Sequence, residues 1–243
     1  MSRVVWIQFY GPPGIGKTLA AKHMATRIKD SGFPVVYHRY FFYEFDYALR
    51  SQDSPYKKNL IQDLVDKQFE RTLNYVVQLK KDIQYSLGEK DTIFLITDQS
   101  ILDGLIYQYG ADFIKTSISM RSDYLKMRLL KFTKNDVYSS CFINLYSNPE
   151  KDFYEEVIKE RIHKRARKGE KLFPYEIYQA FDTLFDFFLR KINISFIADI
   201  IIGEKYIPLK IVRMYMRNDG SKEALYTEID EFLKFYEDIL NIH

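Results

Sequence analysis

The chain has 243 residues and a formal net charge of +3, and 47% of its residues are hydrophobic. This composition excludes the disordered class of low-hydrophobicity, highly charged chains, and the length suits one domain over residues 1–243. The small net charge does not require a polyanionic partner, and a single cysteine, Cys141, excludes an internal disulfide, which favours a reducing compartment.

The first predicted element is a buried strand at residues 4–9, an apolar run that ends at a glycine and two prolines, and a helix at 18–29 follows it. The later predictions are strands at 35–42, 92–97, 141–146 and 207–216, and helices at 56–87, 125–132, 151–168, 175–192 and 223–242. Strands that alternate with helices predict an α/β fold with a parallel central sheet and helices on both faces. We find no basic leader and no apolar span of ~20 residues, so we expect a cytoplasmic protein without a membrane helix.

A glycine-rich motif of the form G-x-x-x-x-G-K-T lies between the first predicted strand and helix. Its members are Gly11, Pro12, Pro13, Gly14, Ile15, Gly16, Lys17 and Thr18. Such a loop turns successive backbone N–H groups towards phosphate oxygens, and the following helix adds the positive end of its dipole. We therefore predict that it binds ATP, with Lys17 at the β- and γ-phosphates and Thr18 on Mg²⁺.

An acidic residue, Asp98, follows the apolar strand at 92–97. A P-loop protein needs a second acid to organise magnesium, usually at the end of a neighbouring strand, so Asp98 is the candidate. The alternative is a turn or helix-capping aspartate.

A basic stretch lies within the predicted helix at 151–168 and just after it. It contains Arg161 and Arg165, four residues apart on one helical face, followed by Arg167. Guanidinium groups that close over a migrating phosphoryl group stabilise its charge, so residues 161–170 are predicted to be a lid. The alternative is an ordinary solvated face.

Glu44 follows the second predicted strand, at the edge of the sheet where open α/β folds bind ligands. A carboxylate there is placed to accept the proton of a substrate hydroxyl, although a surface glutamate is an equal alternative.

Taken in order, these elements resemble the deoxyribonucleoside kinase family that includes the herpesvirus thymidine kinases. The resemblance extends from the P-loop to about Ile192. It is carried by the P-loop, the segment Glu-Phe-Asp-Tyr-Ala-Leu-Arg at 44–50, the strand end Asp98-Gln99-Ser100 and the lid-like stretch at 161–170.

The resemblance implies that Glu44 activates the 5′-hydroxyl of a nucleoside, with ATP and Mg²⁺ as cofactors. It also implies that Gln68 reads the Watson–Crick edge of the base, with Gln62 and Gln78 as alternatives, and that Tyr56 and Glu170 hold the sugar 3′-hydroxyl. The plainer interpretations are helix surface for Gln68, core packing for Tyr56 and lysine pairing for Glu170. A homodimer is a further implication.

The sequence departs from the family pattern at Gln99, where the family has an arginine. A neutral glutamine does not supply that positive charge, so the lid or Arg50 must compensate, or the activity is reduced or redirected. Family members that favour cytosine use an acid and an arginine around the base, and the corresponding residues here are Gly104 and Tyr75. This leaves room for a thymine methyl group, so thymidine is the first expected substrate, with Asp103 adjacent.

Two other functions fit parts of the sequence. A nucleoside monophosphate kinase, such as a thymidylate kinase, shares the P-loop and lid and needs basic residues for the acceptor phosphate, for which His38, Arg39 and Arg50 are candidates. A P-loop switch or motor is a third hypothesis, but the sequence has no guanine-reading Asn-Lys-x-Asp segment. The aromatic-rich stretch at 37–47 favours packing over nucleic-acid stacking, so we expect no nucleic-acid partner.

Overall fold

The computed structural model describes residues 3–12, 14–39, 92–100, 137–146, 154–165, 210–215 and 221–240. It also describes the isolated helical residues 70, 71, 74, 78, 81, 82, 175, 179, 181 and 183.

The described strands form one five-stranded sheet in the order β2-β3-β1-β4-β5, and every pairing is parallel. The strands are β1 (Arg3–Tyr10), β2 (Val35–His38), β3 (Thr92–Thr97), β4 (Val137–Tyr146) and β5 (Lys210–Tyr215). The apolar runs of β1 and β3 suit the centre of a parallel sheet, which is covered on both faces. The predicted α/β class is therefore confirmed.

Three α-helices are described with their bounds: α1 (Lys17–Asp30), α2 (Lys159–Arg165) and α3 (Lys222–Leu240). A π-helical turn, Tyr154–Ile158, leads directly into α2. The Ser221 hydroxyl accepts a 3.0 Å hydrogen bond from the Ala224 amide and so caps the start of α3.

The main core lies between the sheet and the helix pair α1 and α3. From β1 it takes Val5, Ile7 and Phe9, which alternate along the strand and so share one face. The helices contribute buried residues at helical spacing, among them Met24 on α1 and Ile229 on α3.

The opposite face of β1 is also covered. Tyr10 is fully buried there, and its hydroxyl donates a 2.5 Å hydrogen bond to the carbonyl oxygen of the helical residue Phe181. The two aromatic rings also pack together, with centroids 5.4 Å apart. Helical residues therefore pack on both faces of the sheet, as predicted.

Several predicted element ends need correction. β2 ends at His38, because its partner strand β3 ends at Thr97, the register partner of His38. The predicted strand residues 40–42 lie outside the described residues. β4 begins at Val137 and not at 141, because its first three residues pair with residues 4–6 of β1. A register shift then leaves Ser140 without a partner in β1, as in a β-bulge.

The predicted helix at 151–168 is wrong at residues 154–158, which are π-helical, and it matches α2 at 159–165. Residues 151–153 and 166–168 lie outside the described residues. β5 matches 210–215 of the predicted strand. The isolated helical residues fall inside the predicted helices at 56–87 and 175–192, whereas the predicted helix at 125–132 lies outside the described residues. Within the described part of the chain, no helix is both long enough and apolar enough to cross a membrane.

Candidate active site

The glycine-rich loop lies at the carboxyl edge of the sheet, directly after the central strand. β1 is flanked by β3 on one side and by β4 on the other. The strands that follow β1 in the chain are therefore placed on both sides of it, and the loop after β1 lies at the point where the strand order reverses. Open α/β sheets bind ligands at such a switch point. The fold therefore places the predicted phosphate loop where a ligand is expected.

The loop takes conformations that its glycines permit, with φ of 145° at Gly11, 85° at Gly14 and 106° at Gly16. The side chain of Ile15 is fully buried in the main core and so anchors the loop to that core. Gly16 is the N-cap of α1 and has no side chain to accept from the first amides of that helix. Those amides are suited to an anion.

The Lys17 side chain folds back over the loop. Lys17 as a residue is 8% exposed, and its ammonium group donates to the carbonyl oxygens of Gly11 and, at 3.1 Å, Pro12. It also lies 5.7 Å from the centre of the Phe181 ring. These contacts offset the cost of burying the charge and hold it at the loop that is predicted to bind phosphate.

Thr18, Tyr37 and Asp98 meet above the first turn of α1. The carboxylate oxygen Oδ2 of Asp98 accepts hydrogen bonds from the Thr18 hydroxyl at 2.8 Å and from the Tyr37 hydroxyl at 3.0 Å. Asp98 is 4% exposed, so donors are needed to offset the burial of its charge. The structure thus brings together the two residues predicted to bind magnesium.

This arrangement fits a magnesium ion. A hydroxyl that donates its one proton to Asp98 keeps its lone pairs for a metal, and Mg²⁺ prefers oxygen ligands. The described residues contain no cluster of three or more His, Cys, Asp and Glu side chains. A site of few protein ligands is still adequate, because Mg²⁺ usually completes its coordination with water and substrate phosphates.

The arginine-bearing helix packs on the phosphate loop through Gly14. A Cβ added to Gly14 would lie 3.0 Å from Cγ2 of Ile158 and 3.2 Å from Cγ1 of Ile162. Both isoleucines are buried. Arg161 follows Ile158 by three residues, and Arg165 follows Ile162 by three, so both positions neighbour the residues that touch the loop.

Gln99 has a buried side-chain oxygen, Oε1, that has no hydrogen-bond partner among the described residues. Its backbone is well held, because the Thr97 hydroxyl donates to the Gln99 carbonyl at 2.8 Å and accepts from the Trp6 indole at 3.0 Å. An acceptor without a donor is costly when buried, so this oxygen is suited to meet a donor from a ligand.

His38 lies at the end of β2, beside β3, where it pairs in register with Thr97. Burial lowers the pKa of its imidazole below the ordinary value, and the Asp98 carboxylate offsets part of that effect. The ring is therefore neutral near pH 7.

The structure brings Thr18 of the predicted phosphate loop together with Asp98, and it packs the helix that carries Arg161 on Gly14. Arg165 is the last residue of α2, and only its backbone is described. The predicted site residues Pro13, Glu44, Tyr56, Gln68, Arg167 and Glu170 lie outside the described residues. The aromatic-rich sequence around Tyr37 indicated packing, but the Tyr37 hydroxyl also donates a hydrogen bond to Asp98. This contact follows from the register of β2 against β3.

No model of a known protein family matches the chain, and no curated protein matches its sequence. Among solved structures, the chain is similar to the deoxyadenosine kinase of M. mycoides. With the products dCMP and a flexible dCDP bound, that kinase shows 16% identity over 97% of this chain and 99% of that chain, at a TM-score of 0.40. Its complexes with dATP and dCTP each show 14% identity over 96% of this chain and 99% of that chain, at TM-scores of 0.46 and 0.44.

Proposed function

We propose that the protein is a kinase that transfers the γ-phosphate of ATP to the 5′-hydroxyl of a deoxyribonucleoside, with thymidine favoured. The observation that carries the proposal is the convergence of Lys17, Thr18 and Asp98 at the sheet switch point, under a helix that bears Arg161.

The nucleotide half of the reaction follows from the loop. The loop amides and the start of α1 hold the phosphates of ATP, and the Lys17 ammonium exchanges its loop carbonyls for phosphate oxygens. Thr18 and Asp98 would hold Mg²⁺, which would supply positive charge to neutralise the phosphates of ATP.

The transferred group gains most of its stabilisation from positive charge. Arg161 lies on the helix whose Ile162 packs, together with the preceding Ile158, on Gly14 of the loop. We assign it to the equatorial oxygens of the migrating phosphoryl group, with Arg165 and Arg167 assigned to the same role from the sequence.

The residue roles proposed for the acceptor nucleoside rest on the sequence alone. Glu44 takes the proton of the 5′-hydroxyl as its oxygen attacks the γ-phosphorus, and ADP leaves as the bond to the bridging oxygen breaks. Gln68 is assigned to the base, and Tyr56 and Glu170 to the 3′-hydroxyl. Gln99, which is neutral, suits an uncharged acceptor better than a charged one.

His38 bears on the choice between a nucleoside and a monophosphate acceptor. A monophosphate kinase needs cations around the acceptor phosphate, and His38 is one of the candidates. Because burial lowers the pKa of His38, its ring is mostly neutral near pH 7 and is less suited to an acceptor phosphate. We therefore favour the nucleoside.

The test is ADP release from ATP and Mg²⁺ with thymidine, deoxycytidine, deoxyadenosine, deoxyguanosine and thymidylate offered separately. We expect turnover with a nucleoside, highest with thymidine, that is lost in Glu44→Gln and kept in Glu231→Gln, an exposed glutamate on α3. Turnover only with thymidylate would move the protein to the monophosphate kinases. Highest turnover with another nucleoside would overturn the thymidine preference alone.

A further inference from the structure

Tyr37 lies on the same face of the sheet as Asp98. In the parallel ladder of β2 and β3, Tyr37 is the register partner of Ile96, and paired residues point to the same side. Asp98 follows Ile96 by two residues, so strand alternation keeps it on that side. The ring of Tyr37 packs against the main core, which leaves its hydroxyl to reach along the sheet to Asp98.

The carboxylate of Asp98 is held from two elements at once. Thr18 of α1 donates to Oδ2 at 2.8 Å, and Tyr37 of β2 donates to the same oxygen at 3.0 Å. Two donors on one oxygen restrict rotation of the carboxylate about its Cβ–Cγ bond. The Tyr37 contact therefore keeps Oδ2 in place as the acceptor that orients the Thr18 hydroxyl.

We propose that Tyr37 is a positioning residue for magnesium-dependent nucleotide binding and acts through Asp98 and Thr18. The inference rests on the proposed function only in requiring that the chain binds ATP with Mg²⁺. With Oδ2 fixed, Thr18 donates its proton to Asp98 and turns its lone pairs to the metal. Without the tyrosine hydroxyl, the carboxylate turns and the Thr18 lone pairs lose their fixed direction. Groups that orient metal ligands typically change metal affinity by about 10–100-fold.

The test measures binding and not turnover. A non-hydrolysable ATP analogue is titrated calorimetrically into the protein at increasing Mg²⁺ and in EDTA, for the wild type and Tyr37→Phe. We expect the Mg²⁺ concentration that gives half of the affinity gain to rise about tenfold in the variant, with unchanged affinity in EDTA. Phenylalanine keeps the ring packing, and a thermal unfolding curve checks that the variant is folded.

Two controls separate this role from general damage. Tyr226→Phe removes a tyrosine hydroxyl from α3, where the ring stacks on His23 at 3.9 Å, and should leave the Mg²⁺ midpoint unchanged. In an Asp98→Asn background, Tyr37→Phe should no longer move the midpoint, because the positioned carboxylate is already absent.

An unchanged or lower Mg²⁺ midpoint in Tyr37→Phe would overturn the inference, and a lower midpoint would mean that the tyrosine competes with the metal. A wild-type protein that binds no ATP analogue with Mg²⁺ would overturn the proposed function, and the inference with it. A wild type that binds the analogue but phosphorylates no nucleoside removes only the proposed acceptor.

Discussion

At the scale of single residues, Gly14 is where the phosphate loop meets the arginine-bearing helix. Its φ of 85° is in the left-handed region, and its missing Cβ makes room for Ile158 and Ile162. A side chain there strains the backbone by about 1–2 kcal/mol and pushes α2 away from the loop.

We predict that Gly14→Ala lowers the free energy of unfolding by about 2 kcal/mol and weakens binding of an ATP analogue about tenfold. Denaturant unfolding and calorimetric titration measure the two effects. Gly32→Ala is the matched control, because Gly32 has a φ of 90° and a Cβ there would meet nothing within 4 Å. The control should lose stability and keep its affinity, whereas equal affinities in the two variants would contradict the docking of α2 on the loop.

The buried Gln99 oxygen gives a second prediction at this scale. Gln99→Met keeps the side-chain length and removes an acceptor that has no partner in the described part of the chain. We expect the free energy of unfolding to rise by about 1 kcal/mol. Gln78→Met, on an exposed glutamine that bonds Asp82 at 2.7 Å, should show no such gain in the same denaturant titration. Equal changes in unfolding free energy for the two variants would mean that burying Oε1 of Gln99 costs no stability.

At the scale of elements, α3 is fixed to α1 by both apolar and charged contacts. Ile229 is fully buried in the main core, and the adjacent Asp230 accepts hydrogen bonds from His23 and Arg27 of α1, each at 3.0 Å. Arg27 is about half exposed, so solvent weakens its ion pair. Burial of Ile229 should therefore contribute more to the free energy of unfolding than the charged contacts of Asp230.

We predict a ranking of alanine variants on α3. Ile229→Ala should cost about 2–5 kcal/mol of unfolding free energy, Asp230→Ala about 1 kcal/mol, and Glu231→Ala, on an exposed residue, nearly nothing. Thermal unfolding checks the order, since 1 kcal/mol shifts Tm by roughly 2–4 °C at this chain length. A larger loss for Asp230→Ala than for Ile229→Ala would show that the charged contacts dominate the α1–α3 seam.

Some elements were predictable from the sequence because local signals mark both of their ends. β3 was predicted to the residue, since its continuous apolar run stops at Asp98. The π-helical turn at Tyr154–Ile158 was missed because the spacing of charged residues does not separate it from an α-turn. The first residues of β4 were missed because they form no continuous apolar run, and their pairing with β1 is a contact between distant segments.

At the scale of the whole molecule, the predicted site depended on how the strands are ordered. The P-loop motif and Asp98 came from local sequence, and their approach follows from β1 and β3 being neighbours. The Tyr37 contact depends on the register of β2 against β3, and no local pattern carries that information. The same strand arrangement buries His38, which couples protonation to the folding equilibrium.

His38 predicts how the stability of the whole molecule depends on pH. Its pKa is lowered in the folded state, chiefly by burial, whereas the unfolded chain has an ordinary histidine pKa of about 6.5. Between these two values the unfolded state binds more protons than the folded state. The contribution of a neutral His38 is therefore complete above pH 6.5 and is lost as the pH falls towards the folded pKa.

The comparison with His38→Asn isolates this contribution from the other titrating groups. At pH 8 the wild type should be the more stable, because the imidazole fills its half-buried site at the end of β2. As the pH falls to 5.5, only the wild type has a ring to protonate, so the gap in unfolding free energy should narrow. Urea titrations of both proteins in EDTA across this range measure the gap without a metal on Asp98. A gap that stays constant or widens would mean that folding leaves the proton affinity of His38 unchanged or raised.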